Sequence, residues 1–150
     1  MDSDALTDNE IDDLRCVAGL MVPASDEYGV PGADDAIIFT DILGSLGRDV
    51  AAVQTALAAL TLVADARIAR IEFPQREAIA AAYRGAGGPG PATLERVILR
   101  CYYRDDRVVR ALGDEPQPPL PRGRTVEQGD WSLLDPVRRR APMWRDTPIK

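Results

Sequence analysis

Histidine is absent from all 150 residues. Its absence excludes an imidazole general base, a Ser-His-Asp or Cys-His arrangement, and His-ligated zinc or haem. Lysine occurs once, at Lys150, so carboxylate and tyrosine chemistry are what remain in the body of the chain. Cysteine occurs twice, at Cys16 and Cys101, with no CxxC or other metal spacing. Two such residues are expected as reduced thiols packed like small apolar groups. No apolar run approaches the roughly 20 residues of a membrane span. The opening MDSDALTDNE is acidic and has neither a basic region nor an apolar stretch. No Sec or Tat signal is read there, and a cytoplasmic protein is expected.

Positive charge is scarce in one part only. Residues 1–50 hold two arginines against twelve acids, whereas residues 51–100 and 101–150 each come to +2. A net charge of −6 argues against nucleic acid as a partner, because neutralising phosphates needs a concentrated basic surface.

What is present is helical grammar. In "LTDNEI", Thr7 and Glu10 have capping-box spacing, and Leu6 and Ile11 hold the hydrophobic-staple positions. Ile11, Leu14, Val17, Leu20 and Met21 continue as a stripe that stops before Pro23. "PASDEYGVPG" reads as a loop. A second helix is expected from about Ala33, with Asp34 and Asp35 at its positive end and Gly47 at its close. Val50, Val53, Leu57, Leu60, Ala64, Ile68 and Ile71 step by three or four, which predicts one helix over 49–71. Ala52, Ala56 and Ala59 would let neighbours approach it closely. Phe73-Pro74 opens a shorter helix running through Tyr83.

"GAGGPGP" (85–91) matches G-x-G-x-x-G literally, but it follows a helix and contains Pro89, which lacks an amide proton. It reads as a linker, not a nucleotide fingerprint. Leu94, Val97, Ile98, Cys101 and Tyr102 then mark a fifth helix. "DDRVVRALG" continues or restarts it and ends at Gly113. The expectation is an all-α bundle of five or six helices over 1–113. Tyr102 and Tyr103 diverge by about 100° on a helix, so one belongs in the core and the other is an interface candidate. The pairs Asp12-Asp13, Asp34-Asp35 and Asp105-Asp106 are expected in solvated or capping roles.

After Gly113 the composition changes. Seven of the twelve prolines lie in 114–150, together with both tryptophans. An extended arm is expected there, with "EPQPPLPRG" as a polyproline-like crossover. In an extended arm side chains alternate between faces, which would set Arg139 opposite Arg138 and Arg140. The arm is too apolar to be a solvated tail. It is expected to lie on its own bundle or on another chain.

"ILRCYYRDDRVVRALG", "PPLPRG" and "LLDPVRRRAPMWR" together resemble the small-subunit family named after gluconate 2-dehydrogenase subunit 3. The opening "LTDNEIDDLRCVAGLMVP" resembles that family's first helix. The likeness runs over most of the chain and is weakest over 49–84. It implies a non-catalytic subunit that stabilises and helps fold a large flavoprotein of the glucose-methanol-choline oxidoreductase type. That partner would hold FAD and the catalytic base and would oxidise sugars, polyols or glycosides, in a heterodimer or higher hetero-oligomer. This chain would then carry no catalytic, cofactor or metal residues of its own. Its interface residues would be Tyr102, Tyr103, Pro119, Pro121, Trp131, Leu134, Pro136, Val137, Arg138, Arg140, Trp144 and Arg145. The alternative is an unrelated helical adaptor that binds a partner through the same arm.

Overall fold

A computed structural model describes residues 5–116 and 128–141. The chain divides into two units, 1–116 and 117–150. The first is all-helical among its described residues, with α1 Asp8–Met21, α2 Ala36–Gly44, α3 Val50–Ala64, α4 Gln75–Ala86, α5 Pro89–Tyr102 and α6 Asp106–Ala111. The nearest approach to a strand is one isolated bridge, Ser25 with Val30, in the loop after α1.

Helix α1 begins as its sequence dictates. The Glu10 amide donates to the Thr7 hydroxyl and the Thr7 amide donates to the Glu10 carboxylate. Leu6 and Ile11 are half-buried against the core. Helix α2 starts three residues later than the sequence suggests, because the Asp35 carboxylate caps the Ile37 and Ile38 amides. It also stops at Gly44, and Leu46 is buried in the connection to α3.

The expected long helix over 49–71 breaks in two. Helix α3 ends at Asp65, which adopts the left-handed conformation (φ 52°). Ile68 is nonetheless fully buried, in a short 3-10 turn, Ile68–Arg70. The turn is held to α1 by Asp13, which is only 5 % exposed. Its carboxylate accepts from Arg67 Nε and from the Ala69 amide, both at 3.0 Å. The same guanidinium donates to the side chain and carbonyl of Asn9. Asp13 is therefore neither solvated nor a cap of its own helix. It is a buried tether, satisfied by two donors as a buried carboxylate must be. The other acids match their expected roles: Asp35 and Asp105 cap α2 and α6, and Asp106 pairs with Arg110 one turn on.

The supposed linker 85–91 is mostly helix. Only Gly87 and Gly88, at φ 66° and 94°, connect α4 to α5, a conformation that side-chain-bearing residues rarely adopt. Pro89 and Pro91 sit in the first turn of α5, where no amide proton is needed. Gly90 permits a close approach between α4 and α5. A Cβ there would lie 2.2 Å from the Tyr83 hydroxyl, which donates to the Ala56 carbonyl at 2.9 Å. Ala56 is buried and Ala59 half-buried, but Ala52 faces outward and allows no packing.

α3 is central and packs against α1, α4 and α5. The predicted α5 stripe of Leu94, Val97, Ile98, Cys101 and Tyr102 is entirely buried. The opposite charges of the chain meet within this unit. Arg96 and Arg100 on α5 and Arg104 just past its end lie at successive i,i+4 positions and face α2 and the α2–α3 connection. Arg96 forks onto the Asp49 carboxylate at 2.8 and 3.1 Å, Arg100 donates to the Ser45 carbonyl at 2.7 Å, and Arg104 pairs with Asp41. Helix α6 closes with Gly113 at φ 81°. The Gly113 amide donates to Arg110 and the Asp114 amide to Val109, the paired bonds of a Schellman end.

In the second unit, Trp131–Leu134 form a 3-10 turn that runs into one α-helical turn, Asp135–Arg138. The residues expected to be extended here are wound up. Arg138 ends that helical turn, so the alternation of faces expected for Arg138, Arg139 and Arg140 does not apply.

Candidate functional site

Tyr102 ends α5 and Tyr103 caps it, and the two part as their spacing requires. Tyr102 is 4 % exposed and Tyr103 56 % exposed, with their rings edge to face at 5.2 Å. Burial, with smaller effects from Tyr103 and Asp105, pushes the Tyr102 hydroxyl pKa up. The following acidic step is a clamp. Arg107 donates to Asp105 at 3.0 Å and to Asp35 at 2.7 Å, so one guanidinium joins the caps of α2 and α6. Its hydrogen bonds hold both carboxyls below their ordinary range and raise its own pKa further. The sequence allowed solvated or capping roles for these acids, but nothing in it paired residues 35 and 107.

A feature that the sequence reading missed lies between α4 and α5. α4 packs on α1 and α3 and leaves a cleft of about 470 Å³ beside α5. Its floor is Val17, Leu20 and Met21 of α1 with Leu60 of α3. Ala80 and Ala81 form the α4 wall; Leu94, Leu99 and Tyr103 line the α5 side. Glu77, Arg84 and Glu95 supply its charge. The signal was available in the alanines of α4, but alanine reads equally well as a helix former.

In the second unit none of the described residues is buried. Trp131 is 61 % exposed and Leu133 74 %, and Leu134, Pro136 and Val137 are exposed too. Asp130 fixes the start of the turn, accepting from the Ser132 amide at 3.0 Å and its hydroxyl at 2.6 Å. These bonds hold its carboxyl pKa down. Trp131 Nε1 donates to Gln128 at 3.2 Å. Arg138 pairs with Asp135 at 3.3 Å, and Arg140 is exposed. Of the expected interface residues, Pro119, Pro121, Trp144 and Arg145 lie outside the described residues.

Both cysteines are free thiols, Cys101 buried and Cys16 half-buried, and burial raises the pKa of each. Among the described residues no three His, Cys, Asp or Glu side chains stand together as a metal site, and no helix is long and apolar enough to cross a membrane. Comparison with protein families, curated proteins and solved structures finds no match to this chain.

Proposed function

We propose that this chain is a non-catalytic subunit that works by docking on a larger protein. The observation that supports this most is the turn 131–137. It carries Trp131, Leu133, Leu134 and Val137 with no buried residue among them. Tryptophan with neighbouring arginine is the composition of interface anchors, and apolar side chains left in water favour association. We take the partner to be a large FAD-dependent dehydrogenase or oxidase of the glucose-methanol-choline type acting on sugars, polyols or glycosides. That choice rests on the sequence resemblance. It also fits the local chemistry of the resembling residues: an aromatic pair with one ring outward, a capped acidic step, and an "LG" helix end. On this reading FAD and the catalytic base belong to the partner, and this chain stabilises and helps fold it inside the cell.

Co-purification from the native host tests both parts. The expected result is a stoichiometric large chain that carries flavin absorbance and loses solubility when this chain is deleted. A stoichiometric partner without flavin would keep the docking role and refute the oxidoreductase assignment. A chain that purifies alone, with catalytic activity of its own, would refute both.

A further inference from the structure

We infer that the cleft between α4 and α5 is a docking groove for an amphipathic helix of a partner protein, one whose apolar face is flanked by basic residues. This site lies wholly in the bundle and does not depend on the role of the turn 131–137. Its shape suits a helix. The α5 wall runs from Pro91 to Tyr103, which at ~1.5 Å per residue is roughly 18 Å, or about three turns of a guest helix. Val17 and Leu60 of the floor are buried, while Leu20, Met21 and Leu99 are only half-buried and offer apolar surface to a guest. Ala80 and Ala81 on the facing wall let a third backbone come close. Helix-in-groove recognition uses anchors at i, i+3 or i+4, and i+7, and about 470 Å³ accommodates a few such side chains.

Charge selects the guest. Glu77, Glu95 and Arg84 are all exposed, and none forms an ion pair with another described residue. Most other arginines of the bundle's α5 and α6 are already committed to acids. Two free acids against one free base favour a guest with lysine or arginine beside its apolar stripe. The same balance disfavours a second copy of this chain, whose net charge is −6.

The test is selection of a displayed library of helical peptides on the full-length chain, followed by affinity measurements on the winners. The expected winners carry apolar residues at helical spacing with Lys or Arg flanks. Ala81→Arg, a change at an exposed position, should weaken them by about tenfold or more, because a charge then occupies the groove. Glu77→Lys with Glu95→Lys should reverse the preference toward acidic flanks, with the melting temperature close to that of the parent. Winners that are extended or acid-flanked, or binding indifferent to both variants, would overturn the proposal. So would self-association of the chain that Ala81→Arg abolishes, which would place a second copy in the groove. Saturable binding of anilinonaphthalene sulfonate in the groove with no peptide selected would overturn it in favour of a small apolar ligand.

Discussion

The bundle and the turn 128–141 use similar apolar side chains to opposite ends. In the bundle, Leu14, Ile42, Leu60 and Ile98 are removed from water almost completely. In the turn, Trp131, Leu133, Leu134 and Val137 keep 41 to 74 % of their surface. Both regions carry large apolar side chains; burial is what separates them. The bundle surrounds its apolar stripes because six helices bring them together. A stretch of two short helical turns cannot enclose anything, so its apolar residues stay exposed.

Core truncation should show the contrast at its largest. Leu60→Ala removes a side chain that is 2 % exposed and should cost about 3 kcal/mol or more. Leu133→Ala, at 74 % exposure, should cost no more than about 0.5 kcal/mol. Chemical denaturation of the free chain measures both. Comparable losses would mean that the turn contributes to the same cooperative core.

Next in size is the buried tether. Asp13→Ala removes the acceptor of Arg67 Nε and of the Ala69 amide, and should destabilise the bundle by about 2–3 kcal/mol, the lower end for a broken buried pair because Arg67 is partly exposed and keeps its bonds to Asn9. Removing both charges with Asp13→Ala and Arg67→Met should recover part of that loss. A double variant as unstable as the sum of the singles would contradict the pairing.

The contact of Gly90 with Tyr83 makes a sharper prediction about coupling. Gly90→Ala should cost about 2 kcal/mol, because its new methyl displaces a buried hydroxyl. Tyr83→Phe alone should cost about 1 kcal/mol. Together they should cost clearly less than their sum, since removing the hydroxyl frees the space that the methyl needs. Additive losses would show that the two groups do not compete for that space.

These positions also show what could be read from the sequence and what could not. The capping box, the α5 stripe and the helix end at Gly113 are local patterns, and local patterns suffice for them. The split of 49–71 was hidden because Ile68 and Ile71 keep the helical spacing after the helix has ended. Ile68 is buried through the Asp13 tether, a contact 54 residues long in sequence between Asp13 and Arg67. The acidic first third was visible as a net charge but not as a design. Asp13, Asp35, Asp41 and Asp49 are matched by Arg67, Arg107, Arg104 and Arg96 of the same unit. Part of the excess acidity is internal wiring. Of the candidate site, the parting of Tyr102 and Tyr103 followed from helical geometry, whereas the α4–α5 cleft arises from how whole helices splay.

The smallest effect expected concerns pH. Asp35 and Asp105 have pKa values lowered by Arg107, so their contribution is fully present above the unfolded carboxylate range and is lost as pH falls through the lowered folded values. Arg107→Ala should therefore cost about 1 kcal/mol at neutral pH, discounted because the guanidinium is partly exposed. The gap between variant and parent should close on acidification below about pH 4, where even unperturbed carboxyls begin to protonate. A gap that stays constant to strongly acid pH would assign the effect to packing.

The proposed division of labour is tested most directly by the affinity of Trp131→Ala for the co-purified large subunit, with Arg139→Ala as its control. Losing a largely exposed tryptophan should leave the melting temperature of the free chain nearly unchanged. It should weaken the complex by about 2 kcal/mol, roughly thirtyfold, mainly through faster dissociation. Arg139→Ala should change affinity by no more than a few tenths of a kcal/mol, and turnover per intact complex should be the same in both. Unchanged affinity in Trp131→Ala, or a collapse of turnover with assembly intact, would contradict the account.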